Sequence, residues 1–93
     1  MKIFLRVISP KIPKSISNEF TIEEKLDTLS LPALINCLKK QNMELYTELS
    51  QDGNLHPNYV YIVNKELLSY SQGKDYLLYD QDHVTISFAI GGG

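Results

Sequence analysis

The chain is short of the residues that metal, redox and nucleic-acid chemistry draw on. Among 93 residues there are one cysteine, two histidines and a single arginine, Arg6. Cys37 alone cannot close an internal disulfide, which fits a reducing, cytoplasmic setting. His56 and His83 have no Cys or His partner at the spacing a metal requires, so no metal site is expected. Nine basic against 11 acidic residues give a net charge of −2 with no basic cluster, which argues against a nucleic-acid partner. No apolar run approaches the ~18 residues that span a bilayer, and Met1-Lys2-Ile3 opens a strand pattern rather than a signal peptide. Glu23-Glu24 lacks a paired-carboxylate context, and Gly73-Lys74 lacks the spaced glycine of a phosphate loop. No hydrolase, transferase or nucleotide-binding constellation is present, and the chain itself is not expected to be an enzyme or to hold a cofactor.

What is present is enough apolar residue, 43% of the chain, to build one small core and offset the ordering entropy. Ile3, Leu5 and Val7 mark a strand over 2–9, ended by Pro10 and Pro13. Phe20 and Ile22 mark a second over 17–25, close enough to form an antiparallel hairpin with the first. Ser30 stands at a helix N-cap position with Pro32 in the first turn. Leu31, Leu34, Ile35 and Leu38 then fall at i, i+3, i+4 and i+7, one apolar stripe of a helix over 31–42. Leu45 and Leu49 suggest a further short helical turn, closed by Asp52-Gly53. Tyr59 to Val63 reads as a central strand, with Leu34 and Ile62 as core positions, and Leu67-Leu68 as a short return strand. Residues 69–82 are polar apart from Tyr76, Leu77 and Leu78. A last strand carries Val84, Ile86, Phe88 and Ile90 on one face. Strands gathered around one main helix predict an α+β fold, a mixed sheet packed on that helix. A hairpin, a helix and then further strands is the order of the β-grasp.

Gly91-Gly92-Gly93 follow the last strand with no polar spacer. The expected division is a folded domain over 1–90 and a flexible tail over 91–93. Residues without side chains let a backbone thread a narrow channel in extended form. A terminal carboxylate on Gly93 is a potential reagent, because adenylation converts it to an acyl phosphate anhydride open to a sulfur or nitrogen nucleophile. Phe88 and Ile90, at the strand exit, offer an apolar pair for docking a partner enzyme. The competing reading is that both complete the core face begun by Val84 and Ile86. Cys37 falls at the edge of the helical stripe and reads as a packing residue rather than a nucleophile.

Three segments carry a resemblance. Ser30-Leu31-Pro32-Ala33-Leu34-Ile35 resembles the Thr-Val-x-x-Leu-Leu helix entry of the MoaD/ThiS-type ubiquitin-like sulfur carriers. Val63-Asn64-Lys65-Glu66 resembles their Val-Asn-Gly-Glu turn, and Asp80-Gln81-Asp82-His83-Val84 their Asp-Gly-Asp-x-Val. Val84 lies nine residues before Gly93, as in that family. Gly53-x-Leu55-His56, Tyr61-Ile62-Val63-Asn64 and Asp82-x-Val84-Thr85-Ile86 with Ala89 are most similar to the CysO-like branch, the carriers of cysteine biosynthesis. The sequence departs from the pattern at Gln81, where the family has glycine and where positive φ is expected to be hard to reach. It departs again at Phe88, where most carriers have proline, and at Gly91, where they have Ala or Ser.

The resemblance implies a β-grasp, ubiquitin-like fold and a function centred on Gly93. An E1-like adenylating enzyme of the MoeB/ThiF type would activate the Gly93 carboxylate, and a sulfide donor would convert it to a thiocarboxylate. In the CysO-like branch a PLP-dependent cysteine synthase receives that sulfur and a JAMM-type zinc peptidase releases the amino acid; molybdopterin, thiamine and tRNA thiolation stay open as other destinations. ATP, zinc and PLP would then belong to the partners, with Gly91 and Gly92 threading the tail into them. Two alternatives remain open. One is a protein modifier joined through Gly93 to target lysines, the other an interaction module whose glycines are incidental.

Overall fold

A computed structural model of the chain describes residues 1–10, 18–52 and 54–88. Two strands open it, β1 (Lys2–Ile8) and β2 (Glu19–Glu23), followed by the two-residue β3 (Leu29–Ser30) and the helices α1 (Leu31–Gln41) and α2 (Met43–Leu49). The chain continues through β4 (Ser50–Gln51), β5 (Asn54–Leu55), β6 (Tyr59–Val63), β7 (Glu66–Leu68), α3 (Tyr70–Asp75), β8 (Leu77–Leu78) and β9 (His83–Phe88).

Five strands form one mixed sheet in the order β2-β1-β9-β6-β7. The pairs β1/β2, β6/β9 and β6/β7 are antiparallel, while β1 and β9 run parallel. The middle strand is therefore β9, the last in sequence, rather than β6. Tyr59–Val63 is apolar throughout, so its composition marks it as interior without saying how many strands flank it. The pairs β3/β8 and β4/β5 are separate two-stranded ribbons.

The main helix forms for the reasons its sequence states. The Ser30 hydroxyl accepts from the Ala33 amide at 3.2 Å, filling one of the donors that a helix start leaves unpaired. Pro32 sits in the first turn, and Lys39 and Lys40 lie in the last, facing the negative end of the dipole. Leu31, Leu34, Ile35 and Leu38 are all buried. Asn42 ends α1 and begins α2, its side chain accepting from the Leu45 amide at 3.1 Å. Across from α1 the sheet contributes Ile3, Leu5, Val7, Ile22, Tyr59, Tyr61, Val63, Val84 and Ile86 to one continuous core.

The third helix, within a stretch that reads from sequence only as polar, is six residues long. What holds it is a capping box, with Ser69 accepting from the Gln72 amide and Gln72 reaching back to the Ser69 amide. Gly73 is its buried residue, and a Cβ there would stand 3.0 Å from Leu55 Cδ1.

Two turns use positive φ without glycine. Asn64 and Lys65 have φ of 49° and 73° between the paired Val63 and Glu66, the geometry of a two-residue type I′ hairpin. Gln81 also adopts φ of 73°. The lack of glycine at 81 therefore does not keep the turn from positive φ. A dense network holds it instead: the Lys2 amide donates to Asp80 Oδ1 and the Gln81 amide to the Lys2 carbonyl, each at 2.7 Å. Asp82 accepts from the Tyr79 amide and from Asn64 Nδ2, both at 2.8 Å, and the His83 amide donates to Asn64 Oδ1 at 2.9 Å.

Candidate functional site at the end of the central strand

Because β9 is flanked by β1 and β6, its backbone is paired on both sides as far as Ser87, and on the β6 side as far as Phe88. Ile8 pairs with Ser87, Val60 with Ser87 and Tyr59 with Phe88. Ile90, Gly91, Gly92 and Gly93, singled out from the sequence, lie outside the described residues. Phe88 lies inside them, on the core face of β9. It is half-buried, packs against the core cluster and meets Tyr59 edge-on with ring centroids 5.4 Å apart.

Tyr59 joins three elements at this end of the sheet. It is 4% exposed, and its hydroxyl lies 2.9 Å from Ser9 Oγ while donating to Glu48 Oε1 at 3.0 Å. Burial, with Glu48 beside it, pushes the phenol above its ordinary range despite the Ser9 contact, which acts the other way. His56 meets the Tyr59 ring edge-on at 5.4 Å. Its carbonyl accepts from the Tyr61 hydroxyl at 2.8 Å, and its Nδ1 accepts from the Asn58 amide at 3.1 Å. His56 thus anchors a turn. Ser9, Glu48 and Tyr59 escaped the sequence reading because no local spacing links residues that meet only in the folded sheet.

Among the described residues no helix covers the opposite face of the sheet. Alternation along the strands puts Ile8, Val60 and Ile62 there, with Thr85 and Ser87 between them and Leu67 beyond Ile62. Ile8 and Leu67 are exposed at 45% and 65%, and Val60 and Ile62 are partly exposed. Ile62 is therefore not a core residue as expected. The register Tyr61–Ile86 and Val63–Val84 turns the odd-numbered residues of β6 inward and Ile62 outward. At one end of this face Phe4 stacks on His83 at 4.7 Å, and a shallow hollow is lined by Ile62, Asn64, Lys65, His83 and Thr85. The result is an apolar strip beside the exit of β9, rimmed by Lys2, Arg6, Glu19 and Glu23 on the strands toward one edge.

Away from this region, Cys37 is partly buried and its thiol donates to Glu24 Oε1 at 3.1 Å. Burial first, and the neighbouring carboxylate second, push it up to about 11. It is held as a thiol, the form that is neither nucleophile nor metal ligand. Among the described residues no three His, Cys, Asp or Glu side chains gather as metal ligands, and no helix is long and apolar enough to cross a membrane.

A five-stranded mixed sheet with a parallel pair at its centre, one face packed on the main helix and the other open, is the β-grasp of the ubiquitin-like proteins. Three solved structures make the likeness particular. SAMP1 from Haloferax volcanii is 13% identical with a TM-score of 0.75, covering 100% of both chains. The Amycolatopsis orientalis BexX/CysO complex is 22% identical with a TM-score of 0.67 over 98% of this chain and 99% of that one. Mycobacterium tuberculosis CysO is 25% identical with a TM-score of 0.63 over 95% and 99%. The neighbours are ubiquitin-like carrier and modifier proteins, CysO-like ones among them, in agreement with the resemblance seen in the sequence. No family model and no curated protein matches the chain.

Proposed function

We propose that this chain is a ubiquitin-like sulfur carrier acting through the carboxylate of Gly93. The observation that carries the reading is the position of β9. The strand paired on both sides at the middle of the sheet is followed in sequence, after two intervening residues, by Gly91-Gly92-Gly93. A rigid body can thereby present a side-chain-free segment to a partner's active site. The chemistry is a carboxylate oxygen attacking the α-phosphorus of ATP, with pyrophosphate leaving. Sulfide then displaces AMP to give a thiocarboxylate. An E1-like MoeB/ThiF-type enzyme supplies the catalytic groups, and this chain is its co-substrate. The likeness to CysO structures favours cysteine-type biosynthesis as the destination, with a PLP-dependent cysteine synthase and a JAMM-type zinc peptidase as later partners.

The open strip of Ile8, Val60, Ile62 and Leu67 suits docking of that enzyme better than Phe88 does, since Phe88 already packs against the core. A cytoplasmic location fits the chemistry, because a thiocarboxylate is readily oxidised. The test is an intact mass of the protein from its native cells and after incubation with ATP, sulfide and an adenylating enzyme. Exchange of one oxygen for sulfur, lost on deleting Gly93, supports the reading; a chain inert under both conditions overturns it.

One observation favours a second reading. A close structural neighbour is named a small archaeal modifier protein, and an activated Gly93 could equally acylate a lysine. Recovery of Gly93 in isopeptide linkage to cellular proteins would assign the chain to that role.

A further inference from the structure

The sheet ends on one side at β2, and among the described residues no strand lies beyond it. The register with β1 decides which backbone groups that edge presents. The Val7 amide donates to the Asn18 carbonyl and the Glu24 amide to the Met1 carbonyl, so the even-numbered residues of this stretch bond to β1. Residues between them face the other way in an antiparallel ladder, which turns the amides and carbonyls of Thr21 and Glu23 outward. The side chains of Glu19, Thr21 and Glu23 are exposed. They stand on the open face of the sheet, across from Arg6, Phe4 and Lys2 of β1. A hollow on that face, lined in part by Phe4, Arg6, Thr21, His83 and Thr85, lies directly against the edge.

Charge therefore alternates across the strands, with cations on β1 and carboxylates on β2. A further strand continues that order when it carries cations, because opposite charges facing across a ladder attract and like charges repel. A second copy of this chain, joined β2 to β2 in register, would set carboxylate against carboxylate.

We propose that the outer edge of β2 takes up an extended basic segment of a partner protein as an added strand. Main-chain hydrogen bonds to Thr21 and Glu23 supply the affinity, and alternate side chains supply the selectivity. The segment carries lysine or arginine opposite Glu19 and Glu23. Between them a long apolar or aromatic side chain stands opposite Thr21, over the hollow beside Phe4. This edge is distinct from the strip of Ile8, Val60, Ile62 and Leu67, so the inference does not depend on the carrier reading.

The test titrates the peptide acetyl-Thr-Lys-Thr-Phe-Thr-Lys-Thr-amide into the full chain at low salt, followed by backbone amide resonances and hydrogen exchange. Shifts should centre on β2, and exchange at the Thr21 and Glu23 amides should slow as the peptide saturates. Replacing both lysines of the peptide by glutamate should weaken binding about tenfold, and Glu23→Lys should bring the two peptides to about equal affinity. N-methylation of the three central peptide residues removes ladder donors and should abolish binding. Thr21→Pro should abolish it too, since the lost N–H faces away from β1 and is not part of the native ladder. If Thr21→Pro does not fold, the N-methylated peptide decides by the same comparison. No binding at millimolar peptide, equal binding of the acidic peptide by the native chain, or full binding of the N-methylated one would overturn the proposal. Self-association through β2 would overturn it as well, by assigning the edge to a second copy.

Discussion

Lys65 and Gln81 each hold a backbone φ of 73°, a conformation that costs an L-residue roughly 1–2 kcal/mol and glycine almost nothing. Replacing either by glycine relieves that strain but adds about 0.5–1 kcal/mol of unfolded-state entropy. Lys65→Gly and Gln81→Gly should therefore each raise stability by about 0.5–1 kcal/mol, measured as a shift in the urea midpoint. Asp82→Ala should do the opposite, losing about 0.5–1.5 kcal/mol, because the Tyr79 amide and Asn64 Nδ2 lose their shared acceptor at the exposed turn. Cys37 provides a pH test. Its thiol is raised in the fold from an ordinary 9.0 to about 11. Its contribution is thus fully present below pH 9.0 and is lost as pH rises through about 11. Buried tyrosines titrate in the same direction, so the readout is the difference between the native chain and Cys37→Ala, whose stability should fall less over that interval. The Asp-x-Asp and Asn motifs were visible in the sequence, but not the hydrogen bonds that let Gln81 stand where glycine is usual.

At the scale of elements, the helix 31–42 was legible because cap, proline and apolar stripe all agree. The observed α1, Leu31–Gln41, differs by one residue at its end. The facing of β6 was not legible. All five of its residues are apolar or aromatic, so alternation is invisible until pairing with β9 decides which side turns in. Leu34→Ala should accordingly cost about 2–5 kcal/mol in urea unfolding, whereas Ile62→Ala should cost about 1 kcal/mol or less and act instead on partner binding. Helix α3 is not legible from periodicity, because its six residues are mostly polar and only Gly73 is buried, although Ser69-x-x-Gln72 holds the capping signal in plain view. Gly73 ties this short helix to Leu55. Gly73→Val should destabilise by about 1–3 kcal/mol, since the added branches must displace a buried leucine that a Cβ alone already crowds at 3.0 Å.

For the whole molecule, the order hairpin, helix, further strands was enough to reach the β-grasp, since few layered arrangements accommodate it. It did not reveal that the final strand runs down the middle of the sheet, a property of pairing between residues about 80 apart, such as Phe4 with His83. That placement links fold to proposed role: one face of β9 is buried against the core, the other lies in the open apolar strip, and its end leads to the glycines. The candidate site is accordingly split. Its glycines were readable from composition, while the strip and the Ser9–Tyr59–Glu48 contact emerge only when distant strands come together. The most direct measurement is the intact mass of the chain after incubation with ATP, sulfide and the adenylating enzymes of its own genome. One oxygen should be replaced by sulfur at Gly93, a change abolished by deleting Gly93 and retained in Cys37→Ala. An unchanged mass with every such enzyme, or sulfur gained at Cys37 instead, would contradict it.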